Sequence, residues 1–345
     1  MNWARTTRVL AVVGLGAAAF VAADPLAMAR PKPAPEIEAP PPPPPPAGPV
    51  ALPQRTLADA AAFEAWLERV QATSPAFTSG ASVALALKNA TAYEPRALIR
   101  GAVAYAAVAA LEDQTFVNEV RAAGNTPENR RLMVGYLMAD PGYALLFKGS
   151  DGAAGLAREA LASGGLKLLA AGKAVKQSAY DIQHQAWSKV EVVNRDGRLK
   201  AVEAEGVSPM PEAADHVDAL QRAATGGTPL PITAGPARPP YTPLVARAIQ
   251  LAAIAALGEA GDGTYDQLSI LAADEGTNTC LHMAKLNLYQ CLAVSKPNYE
   301  DVFCMGQHGM ADPGACLARN AGVALPPEGP SAAASAIKPA TAAAG

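Results

Sequence analysis

Residues 280–316 read CLHMAKLNLYQCLAVSKPNYEDVFCMGQHGMADPGAC and hold all four cysteines of a chain of 345 residues. Cys280 and Cys291 fall on one predicted helix, residues 278–294. Eleven steps at 1.5 Å rise place them about 16.5 Å apart. A disulfide needs Cα atoms about 4.4–6.8 Å apart, so these two cannot pair with each other. Ser295-Lys296-Pro297-Asn298 then turns the chain into a second helix carrying Cys304. Facing residues of an antiparallel hairpin keep a constant index sum. The nested pairs Cys291–Cys304 and Cys280–Cys316 share that sum to within one residue, whereas crossed pairing demands two different registers. Two nested bridges are therefore expected, each contributing about 3 kcal/mol by loop closure.

This layout resembles the CHCH-type twin-cysteine helical hairpins in topology, over some 40 residues only. Ten and eleven residues separate the cysteines within each arm, against nine in that family, and Asp312-Pro313-Gly314 is expected to interrupt the second helix. The resemblance implies a stapled hairpin and no particular activity. His282 and His308 lie among the cysteines, but the even count favours disulfides over metal ligation. No metal site and no cofactor are expected.

Outward from the hairpin the chain reads as all-α, with about ten to fourteen helices. Ser74-Pro75, Thr126-Pro127, Asp140-Pro141, Thr242-Pro243 and Asp312-Pro313 each place a capping residue before a proline, the pattern of a helix start. Phe63, Trp66, Leu67 and Val70 line one face of the first helix, and Val117 and Val120 do so before Gly124. Residues 98–111 (LIRGAVAYAAVAAL) match residues 244–257 (LVARAIQLAAIAAL) at seven of 14 positions, which convergent core packing of Ala-rich helices explains. Val190 to Val193 read either as half of a hairpin or as the lead into a short helix capped by Asn194. The fold class is an Ala-rich multi-helix bundle with a C-terminal disulfide-stapled hairpin.

Of the 345 residues, 79 are Ala, so the 50% hydrophobic content holds few large side chains. With 5% aromatics, a β-sandwich or barrel is disfavoured. A formal net charge of −3 offers no general attraction to nucleic acid. Residues 1–29 read as a signal peptide: Arg5 and Arg8 precede an apolar run from Val9 to Ala23, and Ala27-Met28-Ala29 offers a cleavage site. Fifteen apolar residues are short for a spanning helix, so the alternative, an uncleaved inner-membrane anchor, is the weaker one.

Residues 30–53 form a Pro-rich disordered linker with seven consecutive prolines, able to reach about 70 Å as polyproline II. An N-terminal helical domain is expected at 54–205 and an irregular Pro/Gly-rich connection at 206–241. A C-terminal helical region at 242–320 and a disordered Ala/Pro tail at 321–345 complete the expected organisation.

Common catalytic signatures such as H-E-x-x-H, G-x-S-x-G and the Walker A loop do not occur. The segment that departs from the Ala-rich background is KQSAYDIQHQAWSK, residues 176–189. On a continuous helix Gln177, Tyr180, His184 and Trp187 form one stripe beside Asp181, a surface suited to a carbohydrate or peptide ligand. The expectation is an exported, periplasmic or secreted protein that binds an envelope protein or cell-wall ligand without catalysis. An envelope glycan or peptide hydrolase or transferase using Asp181 and His184 is the alternative. Intact-mass measurement of the exported protein should give a chain that begins at Arg30 and is four hydrogens lighter than the reduced one. A reduced, full-length mass would contradict both expectations.

Overall fold

The computed structural model describes residues 48–327, and the expected signal peptide, most of the expected Pro-rich linker and the end of the expected tail lie outside them. Thirteen α-helices and no strands occur among the described residues. The first five are α1 (Gln54–Gln71), α2 (Gly80–Thr91), α3 (Pro95–Ala110), α4 (Gln114–Ala123) and α5 (Pro127–Ala139). The 33-residue α6 (Ser150–Ile182) follows, then α7 (Arg195–Glu205), α8 (Ala214–Ala224), α9 (Pro243–Ala256) and α10 (Tyr265–Leu271). The chain closes with α11 (Glu275–Val294), α12 (Asn298–Cys304) and α13 (Asp312–Asn320). No helix is long and apolar enough to cross a membrane among the described residues.

The two matching Ala-rich segments become the central helices. α3 and α9 pack on each other and are buried almost throughout. They also end alike: the N–H groups of Leu111 and Leu257 donate to the carbonyls of Ala107 and Ala253, one turn back, and those of Glu112 and Gly258 to Ala109 and Ala255. Around this pair lie α1 with Phe63 and Trp66 fully buried, and the long α6. Leu52 and Pro53, just ahead of α1, are buried as well.

Several expected helix starts hold at the level of single hydrogen bonds. Thr126 accepts from Asn129 N, Thr242 from Val245 N, and Asn194 caps α7 by accepting from Gly197 N. The second reading of residues 190–205 is therefore the one the chain adopts. Three proline marks behave differently, among them Asp312-Pro313, where Asp312 is itself helical and makes no cap. Ser74-Pro75 turns the chain around the buried Phe77 instead of opening a helix, and α2 starts later, where Ser79 accepts from Ser82 N. Asp140-Pro141 opens a 3-10 turn, Pro141–Leu146, in place of an α-helix.

Both nested disulfides are present, Cys280–Cys316 with Cα atoms 5.8 Å apart and Cys291–Cys304 at 5.6 Å. Asp312-Pro313 does not break the second arm as expected. A π-helical stretch, Met305–Ala311, carries α12 straight into α13. A π-turn holds an extra residue. That accounts for the one additional residue between the cysteines of this arm: the wide turn takes it up and returns Cys316 to Cys280.

The stapled hairpin lies along α6, and the two backbones come into direct contact. A Cβ on Gly172 would sit 2.3 Å from Ala311 N, and one on Gly165 would sit 2.6 Å from Ala318 N. Across the seam, a Cβ on Gly306 would meet Lys176 N at 2.4 Å and one on Gly314 would meet Leu169 N at 2.4 Å. Only glycine fits at these four positions, since the obstructing atoms are main chain. Gly172→Val should separate the two elements and destabilise the protein by about 1–3 kcal/mol. Chemical denaturation with the disulfides intact measures this, and a midpoint equal to that of the parent would contradict the seam.

Candidate functional site

α6 ends at Ile182, five residues short of Trp187, and the ending has a local cause. The Ser188 side chain is buried, and its hydroxyl donates to the carbonyls of Ile182 and Gln185, closing the last turn. The start of α12 then holds the returning segment: Asn298 Nδ2 donates to the carbonyl of Trp187 at 3.3 Å and of Val190 at 3.0 Å, and Tyr299 N donates to the Ser188 carbonyl at 3.2 Å. The predicted stripe consequently divides. Gln177, Tyr180 and Asp181 stay on the helix, while His184 and Trp187 follow its end.

Gln177 donates from Nε2 to the Asp181 carboxylate at 3.1 Å. His184 is exposed in the turn, and no hydrogen bond joins it to Asp181. Trp187 is half-buried against the core edge and donates from Nε1 to Gln185 Oε1 at 2.6 Å. Tyr180 has the most developed surroundings. Its ring stands edge-to-face with Phe303 at 6.0 Å, and both rings line a groove of about 430 Å³. Tyr299, Val294 and the Cys291–Cys304 bridge complete the apolar part of the wall, and Gln183, Ser295 and Glu300 supply its polar part. Val294 is 74% exposed at the rim.

Beneath the groove the turn from α11 to α12 is clamped by α7. Arg198 and Asp301 form an ion pair whose side chains are 9% and 4% exposed, and Arg198 also donates to Ser295 Oγ and the Leu292 carbonyl. Arg195 donates to the Ala293 carbonyl at 2.9 Å. The two arginines thus occupy the free carbonyls at the end of α11, where cations are favoured. Behind the groove, Lys176 lies over the Phe303 ring at 5.2 Å and donates to Gln307 at 2.7 Å. Gln307 in turn donates to Asp312, whose other oxygen is 2.7 Å from His308 Nδ1.

Phe303, Tyr299 and the Arg198 clamp escaped the sequence reading because they lie more than a hundred residues from Tyr180 or become neighbours only through the hairpin. The His308 and Asp312 spacing, four residues on one helix, was the one signal available for the polar relay. All four cysteines are in disulfides, so none offers a thiolate to a metal. The groove brings together no set of metal ligands.

A second group of perturbed residues is sealed from it. Lys285 of α11 is 5% exposed, donates from Nζ to the Thr91 carbonyl at 3.0 Å and lies over the Tyr93 ring at 3.9 Å. Burial pulls its ammonium down to about 7, partly offset by the negative charge of Glu94. Burial likewise pushes the Tyr93 phenol well above its ordinary range. Neither side chain lines a cavity described here, and the pair ties α11 to the end of α2 as a structural cross-link.

Comparison with protein-family models, curated proteins and solved structures gives no match. The chemistry of the groove rests on its own residues.

The Lys285 shift carries a stability consequence. The folded state holds a Lys whose affinity for protons is lowered, so between about pH 7 and the ordinary lysine range the unfolded chain binds more protons. Stability should rise with pH through that window, with a slope of at most about 1.4 kcal/mol per pH unit from this group. Denaturation midpoints from pH 7 to 9.5 measure it. Lys285→Met should remove this component, and an unchanged slope in that variant would contradict the assignment.

Proposed function

We propose that this chain is an exported binding protein of the bacterial cell envelope, working without catalysis, and that it takes a cell-wall glycan or peptide ligand in the groove beside the Cys291–Cys304 bridge. The observation that carries this reading is the pair of edge-to-face rings, Tyr180 and Phe303, lining an open groove with an exposed aliphatic rim. Apolar walls with a few fixed polar groups are the usual composition of small-ligand sites. Aromatic rings give a sugar or side-chain face a flat surface, and the Gln183 amide offers both a donor and an acceptor.

The compartment is supported separately. Two disulfides with no free cysteine fit an oxidising, extracytoplasmic location, as the signal-like N-terminus does. A composition rich in Ala, Pro and Gly suits a GC-rich bacterium and hence a periplasm. Support for the hydrolase reading is weaker, because Gln177 engages Asp181 and His184 stands apart from it. A general base needs a partner within hydrogen-bond reach of its substrate and a group that orients it.

Calorimetric titration with disaccharide-peptide fragments of peptidoglycan tests this reading. Binding should weaken at least tenfold in Tyr180→Ala and in Phe303→Ala, with the circular dichroism of both variants unchanged. Absence of binding to the parent protein, or equal binding by the variants, would overturn it.

A further inference from the structure

On the opposite part of the bundle, α1 carries Glu64 and Glu68 one turn apart, and the first turn of α8 brings His216 against both. His216 Nδ1 is 2.8 Å from Glu64 Oε2, and its Nε2 is 3.6 Å from Glu68 Oε2. One oxygen from each glutamate and one ring nitrogen all lie within 4.8 Å of one another. We propose that Glu64, Glu68 and His216 form a three-ligand site for a divalent transition metal such as zinc, with a further coordination position open to solvent.

Three observations support the assignment. The first is ligand chemistry and reach. Two carboxylates and an imidazole are an ordinary set for zinc, bonded at about 2.0–2.2 Å, which puts the ligand atoms about 3.4 Å apart in a tetrahedron. The two separations, 2.8 and 3.6 Å, lie on either side of that spacing. They involve different ring nitrogens, so binding requires the imidazole to turn, and the terminal torsions of His and Glu are soft enough to allow it.

The second is charge. Glu64 and Glu68 have His216 as their only salt-bridge partner among the described residues. Two carboxylates converge on one imidazole, a donor set whose charge a divalent ion would match, while Arg222 and Lys167 line only the flanking cavities.

The third is access and support. Glu64 and His216 line a cavity of about 340 Å³ that also holds Arg222, and Glu64 and Glu68 line a second of about 190 Å³ holding Lys167. An ion held between them has an entry path and room for a water or an exchangeable ligand. Tyr105 of α3, largely buried, faces the same carboxylates from the core side and is placed to orient them. The sequence gives no hint of the cluster, since 152 residues separate Glu64 from His216.

The rival arrangement is His216 hydrogen-bonded to the glutamates with no metal. Calorimetric titration of the metal-stripped, disulfide-intact exported chain with zinc chloride decides between them, with thermal melting as a second readout. One equivalent of zinc should bind and raise the melting temperature. Both effects should weaken at least tenfold in binding constant, or vanish, in Glu68→Gln and in His216→Gln. Glu68 is 64% exposed, so its amide variant tests the ligand with little risk to the fold. No binding to the parent protein would overturn the proposal in favour of the metal-free, hydrogen-bonded arrangement. Equal zinc binding by parent and variants would place the metal on other side chains and overturn it too.

Discussion

The close approach of α6 to the second arm of the hairpin is the contact on which the rest of the architecture depends. Gly165 and Gly172 on one side and Gly306 and Gly314 on the other let main chain touch main chain, with no room for a Cβ at any of the four. Glycine in a helix interior costs about 1 kcal/mol relative to alanine, so four such positions are accepted only where the packing they permit returns more. The return is dispersion contact along two backbones and the burial of α13 against the 33-residue α6. The same economy of side-chain volume runs through the core, where α3 and α9 bury alanines on nearly every side.

A core built from alanine and glycine has fewer large side chains to lock its register. The two disulfides provide that lock at the C-terminal end, and the π-stretch fits the arm to it. The wide turn takes up the extra residue just ahead of Pro313, which enters the first turn of α13. The groove at Tyr180 and Phe303 follows from this placement. One ring belongs to α6, the other to the arm that the glycine seam and the Cys291–Cys304 bridge hold against it.

How much of this was legible in the sequence depends on range. The disulfide pairing was legible, because helical rise and hairpin register are local geometry. So were the capped starts at Thr126 and Thr242, where a hydrogen bond spans three residues, whereas Asn194 was legible only as one of two readings. The end of α6 was not. Its cause is Ser188 together with Asn298, a partner more than a hundred residues away, and the helical stripe predicted from spacing ran past it. Ser74-Pro75 failed for a similar reason, since burial of Phe77 overrode a local capping pattern. Of the predicted site residues, Tyr180 meets Phe303 in the groove, whereas His184 is carried away from Asp181 by the helix ending. Groups that ligate or stack only after folding, such as Glu64 with His216, leave no spacing to read.

Native-state amide hydrogen exchange tests the seam most directly. With the disulfides intact, the amides of residues 165–176 and 306–318 should be among the slowest to exchange and should open together as one unit. Fast exchange along α6 at these positions, or opening of the two stretches at different free energies, would contradict the account.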